Sequence, residues 1–401
     1  MRKLKYVFAV MVFLALGYQS IATSGNPPTG LVWNELEKQL GILDQSVKKI
    51  MPENRTKNQG IAPRALENKE LKLVPATDWC SGFFAGCLWL MYEHTNDEKW
   101  KSEAEKFTEL LTDQQWNLRT HDMGFKMYSS FGNGFRLINN NSYRETLIQS
   151  AKTLITRYNE KVGCLRSWDH NQDKWQFPVI IDNMMNLELL FWATRETGDS
   201  VYYKIAVTHA LTTMKNHFRP DYSCYHVIGY DPETGKVLQR NTHQGYSDES
   251  AWSRGQAWAL YGYTMVYRET LNPVFLEQAK HIANFLFSNR NMPADLIPYW
   301  DFDAPGIPNE PRDVSAAAVI ASALLCLKNF VPEKAAEYQV KASLILKQLT
   351  KNYRSEPGSN QGFLLDHSTG SKPHGSEVDV PLIYADYYYL EALSRNEIFQ
   401  H

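Results

Sequence analysis

Residues 177–190 read FPVIIDNMMNLELL and carry the pattern from which the fold is predicted. This stretch joins a short apolar run to a mostly apolar helix, and Asp182 stands at the junction. A helix that is apolar nearly all round is predicted to be buried on all sides. A carboxylate at the start of such a helix loses water, and its pKa can rise toward neutrality.

The same arrangement recurs along the chain, with an Asp at or just before each of the more apolar helices. These residues are Asp78, Asp122, Asp182, Asp248, Asp313 and Asp379, with successive gaps of 44, 60, 66, 65 and 66 residues. Between neighbours lies one amphipathic helix, charged on one side and apolar on the other, as a surface helix is. The chain therefore repeats a unit of one inner and one outer helix.

Helical periodicity predicts twelve helices and no convincing block of alternating strands. The predicted helices cover about 32–51, 80–94, 97–117, 123–138, 142–160, 182–197, 200–218, 249–270, 273–290, 313–329, 332–351 and 379–396. A solenoid would need polar capping units at both ends, whereas the first and last units here are as apolar as the middle ones. We therefore predict an all-α fold, an (α/α)6 barrel of six helical hairpins forming a single domain over residues 25–401.

The first 24 residues have the pattern of a secretory signal peptide. Three basic residues precede an apolar stretch at 7–17, which is too short for the about 20 residues that span a bilayer. Ala22 and Ser24 are small residues of the kind preferred before a cleavage site, so we predict cleavage after Ser24. Because no cysteine follows the apolar run, we expect a periplasmic or secreted protein that has no membrane attachment after cleavage.

The charge of the predicted mature chain argues against a nucleic-acid partner. The full chain has 42 Lys+Arg and 44 Asp+Glu, and removing the three basic residues of the leader gives a formal charge of −5. Nucleic-acid binding would need a clustered basic surface, which the sequence lacks. An anionic substrate could still bind through a few locally placed basic groups.

The sequence contains no recognisable metal, cofactor or disulfide motif. Five cysteines occur without a CxxC pair or zinc spacing, and we expect them to be free buried thiols. HExxH, GxSxG, Walker and EF-hand patterns are absent. His226 and His243 lie in one long loop but lack ligand spacing. We therefore predict no metal and no cofactor.

Two carboxylates are the candidates for chemistry. Asp122 lies at a helix start like that of Asp182, so the two could act as acid and base. The alternative is that both are N-caps, each worth about 1 kcal/mol. Capping is the favoured interpretation for Asp248, Asp313 and Asp379.

Aromatic residues and long loops accumulate near the same helix starts. Loops 221–247 and 291–312 are rich in Tyr, Gly, Pro and Asp and should emerge at one rim of the barrel. Flat rings with a polar tip suit sugar faces, although filling the barrel centre is an alternative use. The tryptophans concerned are Trp79, Trp168, Trp175, Trp252, Trp258 and Trp300.

Five motifs in this order resemble the unsaturated glucuronyl hydrolases, glycoside hydrolase family 88, over most of the predicted mature chain. They are DWCSGFFAG at 78–86, HDMGF at 121–125, DNMMNL at 182–187, HQGY at 243–246 with SRGQAW at 253–258, and EVDVP at 377–381. The resemblance implies an unsaturated oligosaccharide substrate of the glycosaminoglycan type, left by a polysaccharide lyase. The implied reaction hydrates the C4=C5 double bond of its terminal uronic acid.

The resemblance also implies roles for individual residues. Asp182 would protonate C4 and help deliver water to C5, while Asp122 would stay ionised and keep a proton on Asp182 by like-charge repulsion. His121 would orient the ring or tune Asp122. The implied sugar contacts are Trp79 and Trp258 on the ring, with His226, Gln244 and Arg254 on its polar groups.

The segment 368–374 resembles the loop that contacts the next sugar in this family. Ser368, Ser371 and Lys372 are candidate sulfate contacts, and a polar surface turn is an equally good account of them.

Three alternatives stay open at this point. An unsaturated rhamnogalacturonyl hydrolase would share the barrel and the hydration but would not be expected to keep the His121-Asp122 pair. An epimerase or another glycosidase could use the same scaffold. A periplasmic oligosaccharide-binding protein would use the same Trp and Arg residues without catalysis.

Overall fold

The computed structural model describes residues 29–51 and 59–398. The predicted signal peptide, residues 1–24, lies outside the described residues, and the assignment of 25–401 to one domain stays a prediction. In the described ranges, no helix is both long enough and apolar enough to cross a bilayer.

Twelve α-helices and one long π-helix form the frame of the described chain. They are α1 (Thr29–Ile50), α2 (Phe83–Thr95), α3 (Glu98–Glu109), the π-helix (Gly124–Gly132), α4 (Asn133–Ile138), α5 (Asn141–Ile155), α6 (Asn183–Thr197), α7 (Ser200–His217), α8 (Ser253–Thr270), α9 (Pro273–Ser288), α10 (Val314–Leu327), α11 (Ala335–Asn352) and α12 (Ile383–Ile398). The π-helix runs directly into α4, so the two form one inner helix.

The inner helices close into a ring. Helix α2 contacts the π-helix, which contacts α6, and the contacts continue through α8, α10 and α12 back to α2. Outer helices α3, α5, α7, α9 and α11 pack behind α2, the π-helix, α6, α8 and α10. The predicted (α/α)6 barrel is therefore confirmed, and the solenoid alternative is wrong because a solenoid does not join its ends.

Burial follows the predicted inner and outer roles. Helix α10, VSAAAVIASALLCL, is buried along almost its whole length, as its lack of a polar face requires. In α3 the buried residues are Trp100, Ala104, Phe107 and Thr108, spaced three or four apart on one face. The exposed face of α3 carries its charged side chains.

Nine short strands lie in the loops, where the sequence predicts none. They are β1 (Ala62–Glu67), β2 (Glu70–Val74), β3 (Tyr158–Asn159), β4 (Cys164–Leu165), β5 (Phe177–Ile180), β6 (Val227–Tyr230), β7 (Val237–Asn241), β8 (Ser368–Ser371) and β9 (Ser376–Val380). Strands β5, β6 and β7 form one antiparallel sheet, and the others form two-stranded hairpins. Strands this short carry too few alternating residues to form a convincing block, so periodicity does not reveal them, and the all-α class of the barrel is unaffected.

Only one of the three aspartates assigned to capping acts as a cap. The Asp313 carboxylate accepts hydrogen bonds from the first amides of α10. Asp248 instead accepts from the amide of Thr242, and Asp379 lies in β9 beside His367, so the capping prediction is wrong for these two. The two helices predicted to begin at 249 and 379 begin instead at Ser253 (α8) and Ile383 (α12), because loop and strand residues precede them.

The cysteines are free, as predicted. Cys80, Cys87, Cys164 and Cys224 are buried, and Cys326 is partly buried. Burial raises the pKa of the Cys164 thiol above its usual range, which makes it unreactive.

Candidate active site

The β5–β6–β7 sheet brings three predicted site residues to one end. Asp182 follows β5, and His226 precedes β6, whose first residue pairs with the last residue of β5. The amide of Ile181 donates to the carbonyl of His226, which ties the two segments together beyond the strands. Gln244 follows β7 in the same sheet. The side chains of Asp182, His226 and Gln244 are therefore positioned by the same sheet.

Asp182 occupies the N-cap position of α6 without capping it, since its side chain accepts no hydrogen bond from the helix. It is 9% exposed, and its Oδ2 atom has no hydrogen-bond partner. Burial raises the pKa of Asp182 to about 7, the Arg254 guanidinium lowers it, and the Asp122 carboxylate raises it. A carboxyl group that holds its proton near neutral pH is suited to act as a general acid.

Asp122 lies at the start of the π-helix beside His121. The Nε2 atom of His121 is 3.1 Å from Asp122 Oδ1, and the Thr120 hydroxyl donates to Oδ2 at 3.2 Å. The Nδ1 atom of His121 faces the carbonyl of Ser167, which can only accept, so Nδ1 carries the proton. Burial lowers the pKa of His121, so the imidazole is neutral at neutral pH.

A close approach of two backbones brings the carboxylates together. A Cβ atom on Gly124 would lie 2.6 Å from the Cα of Asn186 in α6. The side chain of Asn186 also accepts a hydrogen bond from the amide of Phe125 at 3.0 Å. Only glycine at position 124 lets the π-helix sit this close to α6, and the two aspartates stand at the starts of these helices.

We expect Gly124→Ala to lower turnover more than tenfold and to destabilise the protein by about 1–3 kcal/mol. The added methyl group meets backbone rather than a flexible side chain, so the π-helix and α6 must move apart. Turnover and the midpoint of urea unfolding measure the two effects. Gly198→Ala is the matched control for added bulk, because nothing lies within 4 Å of a Cβ there, although its φ of +73° adds backbone strain. Unchanged turnover in Gly124→Ala would show that the spacing does not matter.

Aromatic rings pack around Phe125, near the start of the π-helix. Trp79 is partly exposed, with its ring centroid 4.8 Å from that of Tyr384 and 5.4 Å from that of Phe125. Trp258 is 1% exposed and packs against Phe125 and Tyr388. Trp79 is therefore the more accessible of the two tryptophans, while Trp258 is enclosed by protein.

The tautomer of His226 follows from its neighbours. Its Nδ1 atom accepts from the amides of His243 and Gln244, both at 3.2 Å, so the proton is on Nε2. That Nε2 atom is 3.7 Å from Asp182 Oδ2. Burial lowers the pKa of His226 well below its usual range, so the ring is neutral and directs an N–H group toward the carboxyl.

Arg254 is already engaged by the protein. Its guanidinium, 2% exposed, donates to the Asp313 carboxylate and to the carbonyls of Thr369 and Gly370. The side-chain amide of Gln244 also donates to the Gly370 carbonyl, at 3.0 Å. Arg254 therefore joins α8, α10 and β8, and its charge reaches the site by lowering the pKa of Asp182.

The three candidate sulfate contacts differ in their surroundings. Ser368 is fully buried, and its hydroxyl has no partner. The hydroxyl of Ser371 is 2.7 Å from Nδ1 of His374. The Lys372 ammonium pairs with the Glu310 carboxylate and lies 5.4 Å from the Trp300 ring centroid. An anion at Lys372 would therefore compete with a carboxylate that is already bound.

Several residues close to the site belong to none of the motifs in the sequence. Ser167 holds His121 through its carbonyl, and its hydroxyl donates to Asn183 at 2.9 Å. Lys126 lies fully buried one turn after Asp122. A single charged residue inside the apolar run 123–128 is the signal that could have identified it.

Asp182, whose pKa is raised to about 7, is coupled to Asp122 at the starts of two inner helices of an (α/α)6 barrel, and a pair of carboxyl groups of this kind is typical of a glycoside hydrolase. Residues 51–401 match the model of Glycosyl Hydrolase Family 88. The chain therefore belongs to this family, as the five motifs predict, and it is a glycoside hydrolase.

Curated relatives and solved structures agree with this assignment. An unsaturated glucuronyl hydrolase of Formosa agariphila is 46% identical over 406 residues, covering 99% of each chain. An unsaturated chondroitin disaccharide hydrolase of Streptococcus pyogenes is 34% identical, covering 88% of this chain and 90% of its own length. A crystal structure of an unsaturated glucuronyl hydrolase specific for heparin superposes with a TM-score of 0.87 at 47% identity, covering 93% of this chain and 99% of the other.

Proposed function

We propose that this enzyme removes the 4,5-unsaturated uronic acid from the non-reducing end of lyase-made oligosaccharides of the glycosaminoglycan type. The observation that carries the proposal is the buried Asp182 carboxyl, whose pKa lies at about 7 and which is electrostatically coupled to Asp122. A protonated carboxyl facing an ionised one is what hydration of a vinyl ether requires.

In the proposed reaction Asp182 gives its proton to C4, and the C4=C5 electron pair forms the new C–H bond. Positive character then develops at C5 and the ring oxygen, where the Asp122 carboxylate stabilises it. Water adds to C5 and loses a proton to the Asp182 carboxylate, which restores the acid. The product is a hemiketal, which opens without further catalysis and releases the rest of the chain.

We assign two groups close to the carboxyl groups to the sugar. The exposed face of Trp79 is available for the ring, and the N–H of His226 is available beside Asp182. We assign Gln244 and Arg254 to the polar groups of the substrate, with Arg254 acting mainly through its charge because most of its donors are occupied. Trp258 supports this surface from below.

The relatives support the substrate class. Beside the heparin-specific enzyme and the chondroitin disaccharide hydrolase, a Streptococcus agalactiae unsaturated glucuronyl hydrolase carrying an Asp→Asn substitution has been solved with dGlcA-GalNAc6S. That structure superposes with a TM-score of 0.75 at 30% identity, covering 92% of this chain and 90% of the other. We propose that this chain also takes unsaturated glycosaminoglycan disaccharides.

The decisive experiment follows the ultraviolet absorbance of the unsaturated uronate, which disappears when the double bond is hydrated. Disaccharides made by lyases from chondroitin, hyaluronan, heparan sulfate, gellan and pectin test activity and substrate together. We expect turnover of at least one glycosaminoglycan disaccharide and little of the pectin product. Preferred turnover of the pectin product would favour the rhamnogalacturonyl alternative, and binding without turnover would favour a binding protein.

We also propose export of the protein to the periplasm or the medium. The support is the order of basic, apolar and small residues in 1–24. N-terminal sequencing of the protein from its native cell tests this, with residue 25 as the expected first residue. An uncleaved N-terminus in a cytoplasmic fraction would contradict it.

A further inference from the structure

Arg64 of β1 joins two carboxylates that belong to different elements, and the three residues form an ion triad. The Nη1 atom of Arg64 donates to both oxygens of Asp78, at 3.1 and 2.8 Å. Its Nε and Nη2 atoms donate to the two oxygens of Glu377, the second at 3.0 Å. Paired hydrogen bonds between a guanidinium and a carboxylate fix geometry as well as adding energy. The side chains of Arg64 and Glu377 are 19% and 2% exposed, so water competes little for these bonds.

Asp78 connects one end of the ion triad to the aromatic part of the site. It directly precedes Trp79, and its Oδ1 atom also accepts from the amide of Cys80 at 3.0 Å. The Asp78 carboxylate therefore closes a short turn around Trp79. Because Arg64 holds this carboxylate, it also sets the direction of the turn that carries the Trp79 ring.

Glu377 connects the other end of the ion triad to the β8–β9 hairpin. It lies in β9, and its side chain covers Gly370 of β8, where an added Cβ atom would lie 2.5 Å from Glu377 Oε2. The Gly370 carbonyl accepts from Arg254 and from Gln244. The hairpin is therefore held on one side by Arg64 and on the other by Arg254.

The backbone of Glu377 adopts a conformation that is unfavourable for a residue with a side chain. Its φ is +55°, in the left-handed region. Two residues of β1 hold it there, since Glu67 accepts from the Glu377 amide at 2.8 Å and Arg64 pairs with the Glu377 carboxylate. Residues held in such conformations concentrate at functional sites, where the surrounding contacts maintain them. The contact with β1 therefore imposes a defined shape on the hairpin.

We propose that Arg64 is a positioning residue that sets the distance between the Trp79 ring and the β8–β9 hairpin, and with it the affinity for the first two sugars of the substrate. The inference rests on the proposed function, in which Trp79 meets the unsaturated ring and the hairpin meets the next sugar. Arg64 acts through Asp78 and Glu377 rather than by contact with the substrate. Asp182 is carried by a different sheet, so the link affects binding more than proton transfer.

Two variants of unchanged size cut the link at either end. In Glu377→Gln and Asp78→Asn, an amide offers one acceptor oxygen instead of two and turns an N–H group toward the guanidinium. We expect each to raise KM for the preferred unsaturated disaccharide about tenfold, with kcat at the optimal pH changed less than about twofold, because the lost binding is common to ground and transition states. The double variant should be no worse than the more affected single variant, since both substitutions cut the same link. Glu356→Gln, an exposed carboxylate of the loop after α11, is the matched control and should leave both constants unchanged.

Fluorine NMR with 5-fluorotryptophan measures the link without substrate, and the loss of one signal in Trp79→Phe identifies the Trp79 resonance. We expect this resonance to shift in Glu377→Gln, although the substituted residue lies in β9, and to stay in place in Glu356→Gln. An unmoved Trp79 resonance in a folded Glu377→Gln would overturn the role of Arg64. A merely structural role predicts a lower Tm in Glu377→Gln with an unchanged KM, and that result would also overturn it.

The two proposals fail in different ways. Absent turnover in the unaltered enzyme, together with a shifted Trp79 resonance in Glu377→Gln, would overturn the proposed function and leave the link in place. If Glu377→Gln does not fold, Asp78→Asn decides, because it leaves the buried pair of Arg64 and Glu377 intact. An unchanged KM in Asp78→Asn would then contradict the inference.

Discussion

Asp182→Asn lowers kcat on the preferred unsaturated disaccharide by about 10²–10⁴-fold, the contribution expected of a general acid. An amide cannot transfer a proton to C4 or take one from water, although it fills the same space. KM should change little, because the ring contacts are made by other residues. The absorbance assay measures both constants, and normal turnover would rule out Asp182 as the acid.

The same substitution should not weaken the fold. Because burial holds the pKa of Asp182 at about 7, above its unfolded value, the folded state binds more protons between about pH 4 and 7. Its stability therefore falls as pH rises through this window, by up to about 4 kcal/mol for this one group. Asp182→Asn removes that loss, so its Tm at pH 8 should equal or exceed that of the unaltered enzyme. Asp199→Asn, at the exposed cap of α7, is the control and should leave turnover unchanged.

Asp122→Asn should lower turnover by about 10²-fold or more, because the positive character at C5 loses its stabilising charge. It should also lower the pKa of Asp182, since the Asp122 carboxylate raises that pKa in the unaltered enzyme. In the pH profile of the activity that Asp122→Asn retains, the alkaline limb therefore moves to lower pH. An alkaline limb that stays in place would show that the two carboxyl groups are not coupled. Asp97→Asn, at the cap of α3, controls for the loss of one negative charge.

The barrel was predictable because its signal is long and repeated. A helix such as α10 has no polar face, so burial on all sides follows from its sequence alone. The positions of Asp122 and Asp182 were predictable for the same reason, since each opens an inner helix. The elements that periodicity could not detect are β5 to β7, which have four or five residues each.

The contacts of individual side chains could not be predicted from sequence. The amides that follow β7 fix the tautomer of His226, and the carbonyls that accept from Arg254 lie in β8, more than a hundred residues further along the chain. The capping prediction is wrong for Asp248 because its carboxylate accepts from the amide of Thr242, which lies in a loop and not in a helix. Lys126 departs from the apolar pattern around it, and such a departure is informative only once burial is known.

The acid and its imidazole stand on the three-stranded sheet, whereas the residues predicted to meet the second sugar stand on the separate β8–β9 hairpin. The two supports are connected, because the Thr369 and Gly370 carbonyls of the hairpin accept from Arg254, whose charge lowers the pKa of Asp182. Swapping that hairpin between homologues is therefore expected to change the pH dependence of turnover together with any sulfation preference.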